Sequence, residues 1–241
     1  MREVTAETAP LRVAPELRRR YGGASEWRRL CAADKAANVA TLCAEVRPAR
    51  VLEIGAGEGA LLARLAEIGF GRELHALEVA AGACEAILAR GIAGLADVRL
   101  FDGYAVPHAD RSFDLAILSH VLEHVEHPRA LLREAARVAA HVFVEVPLED
   151  TWRLPRDFAL DATGHVNFYS PRSLRHLVQS AGLRVLRERL SNPGVAVHAW
   201  RGGAAGRLRW AVREACLRAT PALATRAFTY HGSLLCRAPE V

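Results

Sequence analysis

Short apolar runs alternate along the chain with segments in which apolar residues recur at helical spacing, and this alternation predicts an α/β fold. The first run, residues 51–54, follows Pro48 and is typical of a short buried strand. Beyond a glycine-rich turn, Leu61, Leu65 and Ile68 return at the spacing of one helical face. Similar runs predict further strands at residues 73–77, 97–101, 112–119, 141–147, 184–190 and 229–237.

Helices are predicted between these strands and at both ends of the chain. Ser25 is a candidate N-cap of the first helix, and Pro221 is expected to break the last one. We expect the late insertion, residues 204–227, to form part of a lid or a contact in a homodimer. Besides the helix after the glycine-rich turn, the predicted helices are residues 15–46, 80–90 and 128–139, a helix that begins at Ser170-Pro171, and residues 204–227.

The length and composition of the chain favour a single folding unit. Its 241 residues, of which 51% are hydrophobic, are enough to bury a large core. No internal repeat or low-complexity linker divides the sequence. We therefore predict one domain, with a helical cap at residues 1–47, a core at residues 48–190, and a helical insertion with the last strand at residues 191–241.

The distribution of charge and cysteine narrows the choice of partner and compartment. The net charge is +5, but Lys35 is the only lysine and the arginines form no basic stripe, so no nucleic-acid partner is predicted. The five cysteines show no metal-ligand spacing and are typical of reduced thiols. No apolar run approaches the roughly 20 residues of a membrane span, and no apolar segment follows Met1. The sequence thus predicts a cytoplasmic protein without a membrane span.

The turn after the first strand is the first candidate site. Glycines at positions 55, 57 and 59 permit positive φ angles and let a ligand approach the backbone closely. The following helix points its free N–H groups across the turn. A dinucleotide-binding fold uses the same physics, but its fingerprint is Gly-x-Gly-x-x-Gly, whereas the spacing here is Gly55-x-Gly57-x-Gly59. This spacing disfavours an NAD-dependent oxidoreductase.

Acidic residues follow the next two predicted strands. Glu78 comes 19 residues after Gly59, where a carboxylate can accept two hydrogen bonds from ribose hydroxyls. NAD proteins use the same device, so Glu78 alone does not identify the cofactor, and it could also be an exposed helix cap. Asp102 precedes Gly103, and such a pair also forms turns without any ligand.

Two segments resemble a known family. The strand end and turn, Glu53-x-Gly55-x-Gly57-x-Gly59, resemble the first motif of the class I S-adenosylmethionine (SAM) methyltransferases. The stretch SFDLAILSHVLEHVEHP is similar to the corresponding segment of small-molecule methyltransferases of the ubiquinone/menaquinone type. The resemblance covers roughly residues 35–190, and GHVNFYSPRSLRHLVQSAGLRV near its end also resembles the family.

The resemblance implies a doubly wound, Rossmann-like sheet of seven strands in the order 3-2-1-4-5-7-6, with helical additions at both ends. It implies SAM as the methyl donor and S-adenosylhomocysteine (SAH) as the product. In the family, an acidic residue at the position of Asp102 meets the adenine amino group. The residues implied in cofactor binding are Glu53, Gly55, Gly57, Gly59, Glu78, Val79, Asp102, Gly103, Tyr104, Ser119 and His120.

Two histidines are candidate catalytic bases. His120 follows the fourth strand and could accept a proton from the methyl acceptor. His165 lies in a long polar connection before Tyr169, and both could meet the acceptor at the edge of the sheet. Earlier in the chain, Tyr21 or Trp27 could touch the cofactor or substrate, although packing is the favoured interpretation of both aromatics.

The spacing of His120, Glu123 and His124 places them on one face of a predicted helix. Some quinone O-methyltransferases of the family are thought to hold a divalent metal with a Glu-x-x-Glu-His motif. Here His120 replaces the first glutamate, so no metal is predicted. Glu123 and His124 are expected to brace the helix by hydrogen bonds.

The sequence therefore predicts a SAM-dependent methyltransferase that acts on the oxygen or nitrogen of a small molecule, for example in natural-product metabolism. The alternatives are a SAM-binding enzyme that does not methylate, such as a cyclase, and the disfavoured NAD-dependent oxidoreductase. A DNA-base methyltransferase lacks support because the chain has no Asn-Pro-Pro-Tyr tetrapeptide and no Pro-Cys nucleophile.

Overall fold

Seven strands form a single sheet in a computed structural model that describes residues 26–154 and 164–239. The strands are β1 (Arg50–Ile54), β2 (Glu73–Glu78), β3 (Leu95–Leu100), β4 (Phe113–Ser119), β5 (Ala139–Leu148), β6 (Arg184–Ser191) and β7 (Tyr230–Arg237). Their order is β3-β2-β1-β4-β5-β7-β6, which confirms the predicted topology. The first five strands are parallel, and β7 runs antiparallel to both β5 and β6.

Seven helices connect these strands within the described residues. They are α1 (Glu26–Leu42), α2 (Ala60–Glu67), α3 (Ala81–Ala89), α4 (Pro128–Val138), α5 (Pro171–Ser180), α6 (Val195–Ala219) and α7 (Pro221–Ala227). In the parts of the chain that the structure describes, no helix combines the length and apolar character needed to cross a membrane.

The central strands are buried on both faces because helices cover both sides of the sheet. Successive residues of a strand point to opposite faces, so Val51 packs in the same cluster as α1 and α2, whereas Leu52 packs in the cluster that contains α4 and α5. In β4, Leu115 likewise packs in the cluster with α1 and α2, and Ala116 packs in the cluster with α4 and α5. This explains why these strands are continuous apolar runs in the sequence rather than alternating ones.

The direction in which successive strands are added to the sheet reverses between β1 and β4, which are parallel neighbours in its centre. From β1 the chain proceeds outward through β2 and β3, and from β4 it proceeds outward on the other side. The carboxyl ends of the parallel strands meet at one edge, and a doubly wound sheet opens a ligand crevice at such a switch point. The glycine turn and His120 both follow strand ends at this edge.

The predicted helix through His120, Glu123 and His124 is wrong, because these residues form a turn between β4 and α4. His120 has a left-handed backbone with φ of 58°, and its N–H donates to the Glu145 carbonyl at 2.8 Å. The chain after β4 is therefore held against β5 and does not form a helix there. Helix α4 begins only at Pro128, and proline is favoured in the first turn of a helix.

Both helical additions differ in extent from the sequence prediction. The first helix ends at Leu42 rather than residue 46, while Tyr21 and the proposed cap Ser25 lie outside the described residues. The late insertion begins earlier than predicted, at Val195, and is kinked at Gly202-Gly203, which hid its first half from the helical pattern. The predicted break at Pro221 and the Ser170-Pro171 helix start are confirmed.

Candidate active site

A cavity of about 490 Å³ lies at the carboxyl edge of the sheet between α1 and α6. Its floor is formed by strand ends and the glycine turn, and residues of α6 line another side of it. A lid role for the insertion stays a prediction. The polar residues that line it are Arg28, Asp34, Lys35, Glu53, Glu58, His120, Glu149, His165, His198, Arg201, Arg213, Thr229 and His231.

The three glycines of the turn have left-handed backbones, with φ angles of 76°, 56° and 73° at positions 55, 57 and 59. Gly55 is further restricted, because a Cβ there would lie 2.7 Å from Cγ2 of Val121. Gly57 lines the cavity, whereas Gly59 precedes α2 and packs near Ile87. The turn therefore requires glycine for its conformation, and it presents backbone rather than side chains to the cavity.

We predict that Gly55→Ala will weaken SAH binding about tenfold or more, since a side chain in the left-handed region costs roughly 1–3 kcal/mol in addition to the clash. Calorimetric titration with SAH measures this loss. The matched variant Gly55→Ala/Val121→Ala removes the clash but keeps the backbone strain, so it should recover part of the affinity. Wild-type affinity in the single variant would contradict this account of the turn.

Glu53 lies at the end of β1 beneath the turn and lines the cavity. Its Oε2 atom is buried and has no hydrogen-bond partner among the described residues. Burial raises the pKa of Glu53 to about 8, although Lys35 opposes this shift. A buried carboxyl oxygen without a partner, beside a cavity, fits a ligand that brings its own cationic donor, such as the ammonium group of SAM.

Glu78 ties the glycine turn to the end of β2. Its Oε2 accepts a hydrogen bond from the Gly57 N–H at 2.7 Å, and its Oε1 accepts one from the Val79 N–H at 2.7 Å. Burial raises the pKa of Glu78, and these backbone hydrogen bonds act against that rise. Each carboxylate oxygen retains a second lone pair, so the group is oriented and can still accept hydrogen bonds from a diol.

Asp102, Gly103 and Tyr104 lie outside the lining of the cavity. Asp102 is exposed, and its Oδ1 accepts hydrogen bonds from the N–H groups of Tyr104 and Ala105, both at 2.8 Å. This is the turn-forming arrangement that the Asp-Gly pair also predicted. The other carboxylate oxygen is not used by this turn, so binding of an adenine amino group remains a prediction.

His120 lies at the floor of the cavity between two buried carboxylates. Its Nδ1 is 3.3 Å from Oε1 of Glu123, and its Nε2 is 3.5 Å from Oε1 of Glu145. Burial and Lys35 lower the pKa of His120, but the two carboxylates outweigh them and the net shift is upward. A proton that reaches this imidazole is therefore held more firmly than on free histidine.

Glu145 and His231 belong to the same cluster, and neither was predicted from the sequence. Burial opposes ionisation of Glu145, but His120 and His231 lower its pKa to about 2. Burial and the neighbouring His120 lower the pKa of His231 to about 3. Ser119, a predicted cofactor residue, is buried behind the cluster, and its hydroxyl lies 3.3 Å from Glu145. Glu145 sits within an apolar strand and His231 is over a hundred residues from His120, so only the fold reveals the cluster.

His165 also lines the cavity, as predicted. Its Nδ1 lies 2.6 Å from Oε2 of Glu149, and its ring packs edge-on against His124 with centroids 4.7 Å apart. Tyr169 does not reach the cavity lining, because it is buried and its hydroxyl donates to the carbonyl of Leu122 at 3.0 Å. The fold thus brings His165, but not Tyr169, to the site.

Two groups of side chains have donor atoms within 4.8 Å of one another, the separation at which a metal could bind, namely His120/Glu145/His231 and Glu123/His124/His165. The absence of a metal stays a prediction. In the first group, burial raises the pKa of Glu145, and His120, His231 and Lys35 lower it.

The sequence matches the family model of a methyltransferase domain over residues 24–188. No curated protein matches the chain. Among solved structures, the (4+2)-cyclase SpnF has a TM-score of 0.63 and 19% identity, covering 87% of this chain and 82% of that one.

Two other solved structures have the same fold. A SAM-dependent methyltransferase from Aquifex aeolicus has a TM-score of 0.57 and 16% identity, covering 89% of this chain and 94% of that one. The N-terminal domain of EvdMO1 with SAH bound has a TM-score of 0.52 and 20% identity, covering 86% of this chain and 81% of that one.

The fold and the glycine-turn site define a Rossmann-like, SAM-dependent methyltransferase. Because the family model spans more than half of the sequence, the chain belongs to the methyltransferase-domain family. The predicted enzyme class and the predicted cofactor, SAM, are confirmed.

Proposed function

We propose that this methyltransferase transfers the SAM methyl group to an oxygen or nitrogen atom of a small molecule bound between α1 and α6. The observation that carries the proposal is the cavity of about 490 Å³, which joins the glycine turn to His120. Its size lies within the range of roughly 300–1,000 Å³ typical of small-molecule sites. Natural-product metabolism is the proposed setting.

The residues around the glycine turn have complementary roles toward the cofactor. When bound, SAM supplies an activated methyl group on a sulfonium. Glu53 is proposed to accept hydrogen bonds from the ammonium group, and Lys35 to pair with the carboxylate at the same end of the cofactor. Lys35 lines the cavity and forms no hydrogen bond or salt bridge with any described residue. Glu78, held by the Gly57 N–H, is proposed to bind the ribose, and Asp102 the adenine.

His120 is the proposed proton acceptor. Because methyl transfer from a sulfonium needs mainly alignment, the protein must hold the acceptor close and remove a proton as the new bond forms. The carboxylates of Glu123 and Glu145 stabilise the imidazolium that results, as a buried aspartate does in a serine-hydrolase triad. His165, oriented by Glu149, is the second candidate base.

A SAM-binding cyclase is the second candidate function, because SpnF has the same fold. The two functions differ in their products, since a cyclase consumes no methyl donor and releases no SAH. An NAD-dependent oxidoreductase would instead bind NAD in preference to SAH.

We expect SAH to bind the wild type with micromolar affinity and NAD to bind at least about tenfold more weakly, a difference of ~1.4 kcal/mol. Asp102→Ala should weaken SAH binding about tenfold, because it removes both the adenine acceptor and the turn. Asp102→Asn is the matched control, since its side-chain oxygen can keep the turn while the charge is lost. Calorimetry gives the affinities, and preference for NAD would overturn the assignment of these residues.

Turnover is tested by release of SAH from SAM in the presence of hydroxyl and amine acceptors, with and without a chelator. Acceptor-dependent release supports methyl transfer. Conversion of a substrate without SAH release would support the cyclase function instead. Activity that disappears with the chelator and returns with a divalent cation would contradict the metal-free chemistry proposed for His120.

Three further statements about this protein remain proposals: that it forms one domain, that it lies in the cytoplasm and that it forms a homodimer. Trp200, Leu208 and Val212 are exposed apolar residues of α6 and are the surface proposed for subunit contact. Sedimentation of the wild type and of Leu208→Glu tests whether this face joins two copies.

A further inference from the structure

Arg213 is a cation at the cavity wall that lacks an acidic partner. It extends from α6, lines the cavity, and forms no salt bridge with any described residue. Its Nε atom is buried and has no hydrogen-bond partner among those residues. Burial, and then the charge of Arg153, lower the pKa of Arg213. A partly desolvated guanidinium with an unused N–H group is costly, so an anion at this position would be stabilising.

The guanidinium of Arg213 is also held in place. It lies over the ring of Tyr230 at 5.0 Å and near that of Phe228 at 5.5 Å, and it donates a hydrogen bond to the Thr229 carbonyl. The Tyr230 hydroxyl donates to the Arg213 carbonyl at 2.7 Å and ties β7 to α6. Little side-chain entropy would therefore be lost on binding a ligand.

Arg201 supplies a second cation at the mouth of the cavity. Its guanidinium stacks 4.0 Å from the centroid of Trp27, and it also forms no salt bridge among the described residues. His198 lines the same cavity, and burial and then the charges of Arg213 and Arg201 lower its pKa. The α6 side of the cavity consequently has a positive potential.

The acidic residues of the cavity do not neutralise this side. Glu58 forms salt bridges with Arg28 and Arg90. Glu149 pairs with His165. Asp34 accepts a hydrogen bond from the Gly194 N–H at 2.6 Å. Each of these three carboxyl groups already has a partner. Glu53, the fourth acidic residue of the lining, is assigned to the cofactor ammonium, which leaves the two α6 arginines for a ligand.

We propose that the methyl acceptor carries an oxyanion, a carboxylate or a phosphate, which binds to Arg213 with Arg201 contributing at the cavity mouth. A planar guanidinium can engage two oxygens of such a group at once. The acceptor would then lie with its anionic end under α6 and its nucleophilic atom toward His120. The inference rests on the proposed function, because it names the substrate class of the same cavity. The carboxylate of SAM is assigned to Lys35, on the opposite side.

Binding without turnover gives the first test. Benzoate, phenyl phosphate and benzamide are titrated by calorimetry into the protein saturated with SAH. We expect benzoate or phenyl phosphate to bind at least about tenfold more tightly than benzamide, and the stronger of the two identifies the oxyanion. Equal binding of all three, or binding of benzamide alone, would overturn the proposal. Because this test needs no methyl transfer, it can succeed even if the proposed function fails.

Variants of the two arginines give the second test. Arg213→Gln should weaken binding of the preferred anion about tenfold to a hundredfold, and Arg201→Gln should weaken it less, while SAH affinity stays within about twofold. Arg213→Lys should recover only part of the loss, because an ammonium cannot bind in a bidentate way. Arg207→Gln, an exposed arginine of the same helix, is the matched control and should bind like wild type.

An equal loss of anion and SAH affinity in Arg213→Gln would instead place the cofactor carboxylate at Arg213 and overturn the proposal. Thermal unfolding shows whether each variant is folded. If Arg213→Gln is not, Arg201→Gln decides, since an exposed side chain at the mouth is not needed for folding. Unchanged anion affinity in that variant would then count against the site.

Discussion

Replacing Glu145 with alanine is expected to lower the free energy of unfolding by about 3–5 kcal/mol, the usual cost of removing one partner from a buried charged cluster. Glu145 is fully buried in β5. Its Oε2 accepts hydrogen bonds from the Asn38 side chain at 2.7 Å and the Ser233 hydroxyl at 2.8 Å, while its Oε1 faces His120 and His231. Alanine would remove the acceptor of three buried donors, Asn38, Ser119 and Ser233, and would leave His120 with one carboxylate fewer.

The matched control is Glu145→Gln, which has nearly the same shape. Its carbonyl oxygen can replace Oε2 for Asn38 and Ser233, and its amide can donate to an imidazole nitrogen. Urea unfolding should therefore show a markedly smaller loss for glutamine than for alanine. If alanine costs less than about 1 kcal/mol, the value of an ordinary hydrogen bond, the cluster is not the structural link between α1, β5 and β7 that its contacts indicate.

The effect should also depend on pH in a defined direction. The folded pKa of Glu145 is lowered from 4.5 to about 2, so its ionised form stabilises the fold above pH 4.5. This contribution is lost as the pH falls through that interval. The difference in stability between the wild type and Glu145→Ala is therefore expected to narrow between pH 4.5 and pH 2.

The sequence predicted the elements whose signals are local. The strand ends, the glycine turn and Ser170-Pro171 are each set by a few adjacent residues, and the structure confirms them. The helix predicted through His120 failed because spacing alone cannot show that the His120 N–H pairs with β5. A tertiary hydrogen bond overrode the local pattern there.

The sequence selected candidate site residues mainly at recognisable strand ends, and His165 in the polar connection after the fifth strand. Glu53, Gly57, His120 and His165 do line the cavity. Arg213 was missed because scattered arginines carry no positional signal until α6 folds over the strands. Lys35, the single lysine, was not selected from the sequence either, and the fold places it in the cavity wall.

Replacing His120 with asparagine is expected to lower kcat about 10²- to 10⁴-fold, the usual contribution of a general base, and to leave SAH affinity nearly unchanged. Asparagine is the appropriate replacement because His120 has a φ of 58°, a conformation that asparagine tolerates and alanine does not. Steady-state rates of SAH release and calorimetry measure the two quantities. His165→Gln is the comparison, and a larger loss there would make His165 the base.

The pH profile separates a base from a residue that only shapes the cavity. Glu123 and Glu145 raise the pKa of His120 above its ordinary value of 6.5, against the effects of burial and Lys35. The neutral form that accepts a proton is thus available only at higher pH, and kcat/KM should rise with pH through an inflection above 6.5 and then level off. His120→Asn should lose this inflection. An inflection that persists in the variant must belong to another group. Such a result would shift the proton transfer to His165 or to the acceptor itself, and would leave the His120 cluster as a structural element.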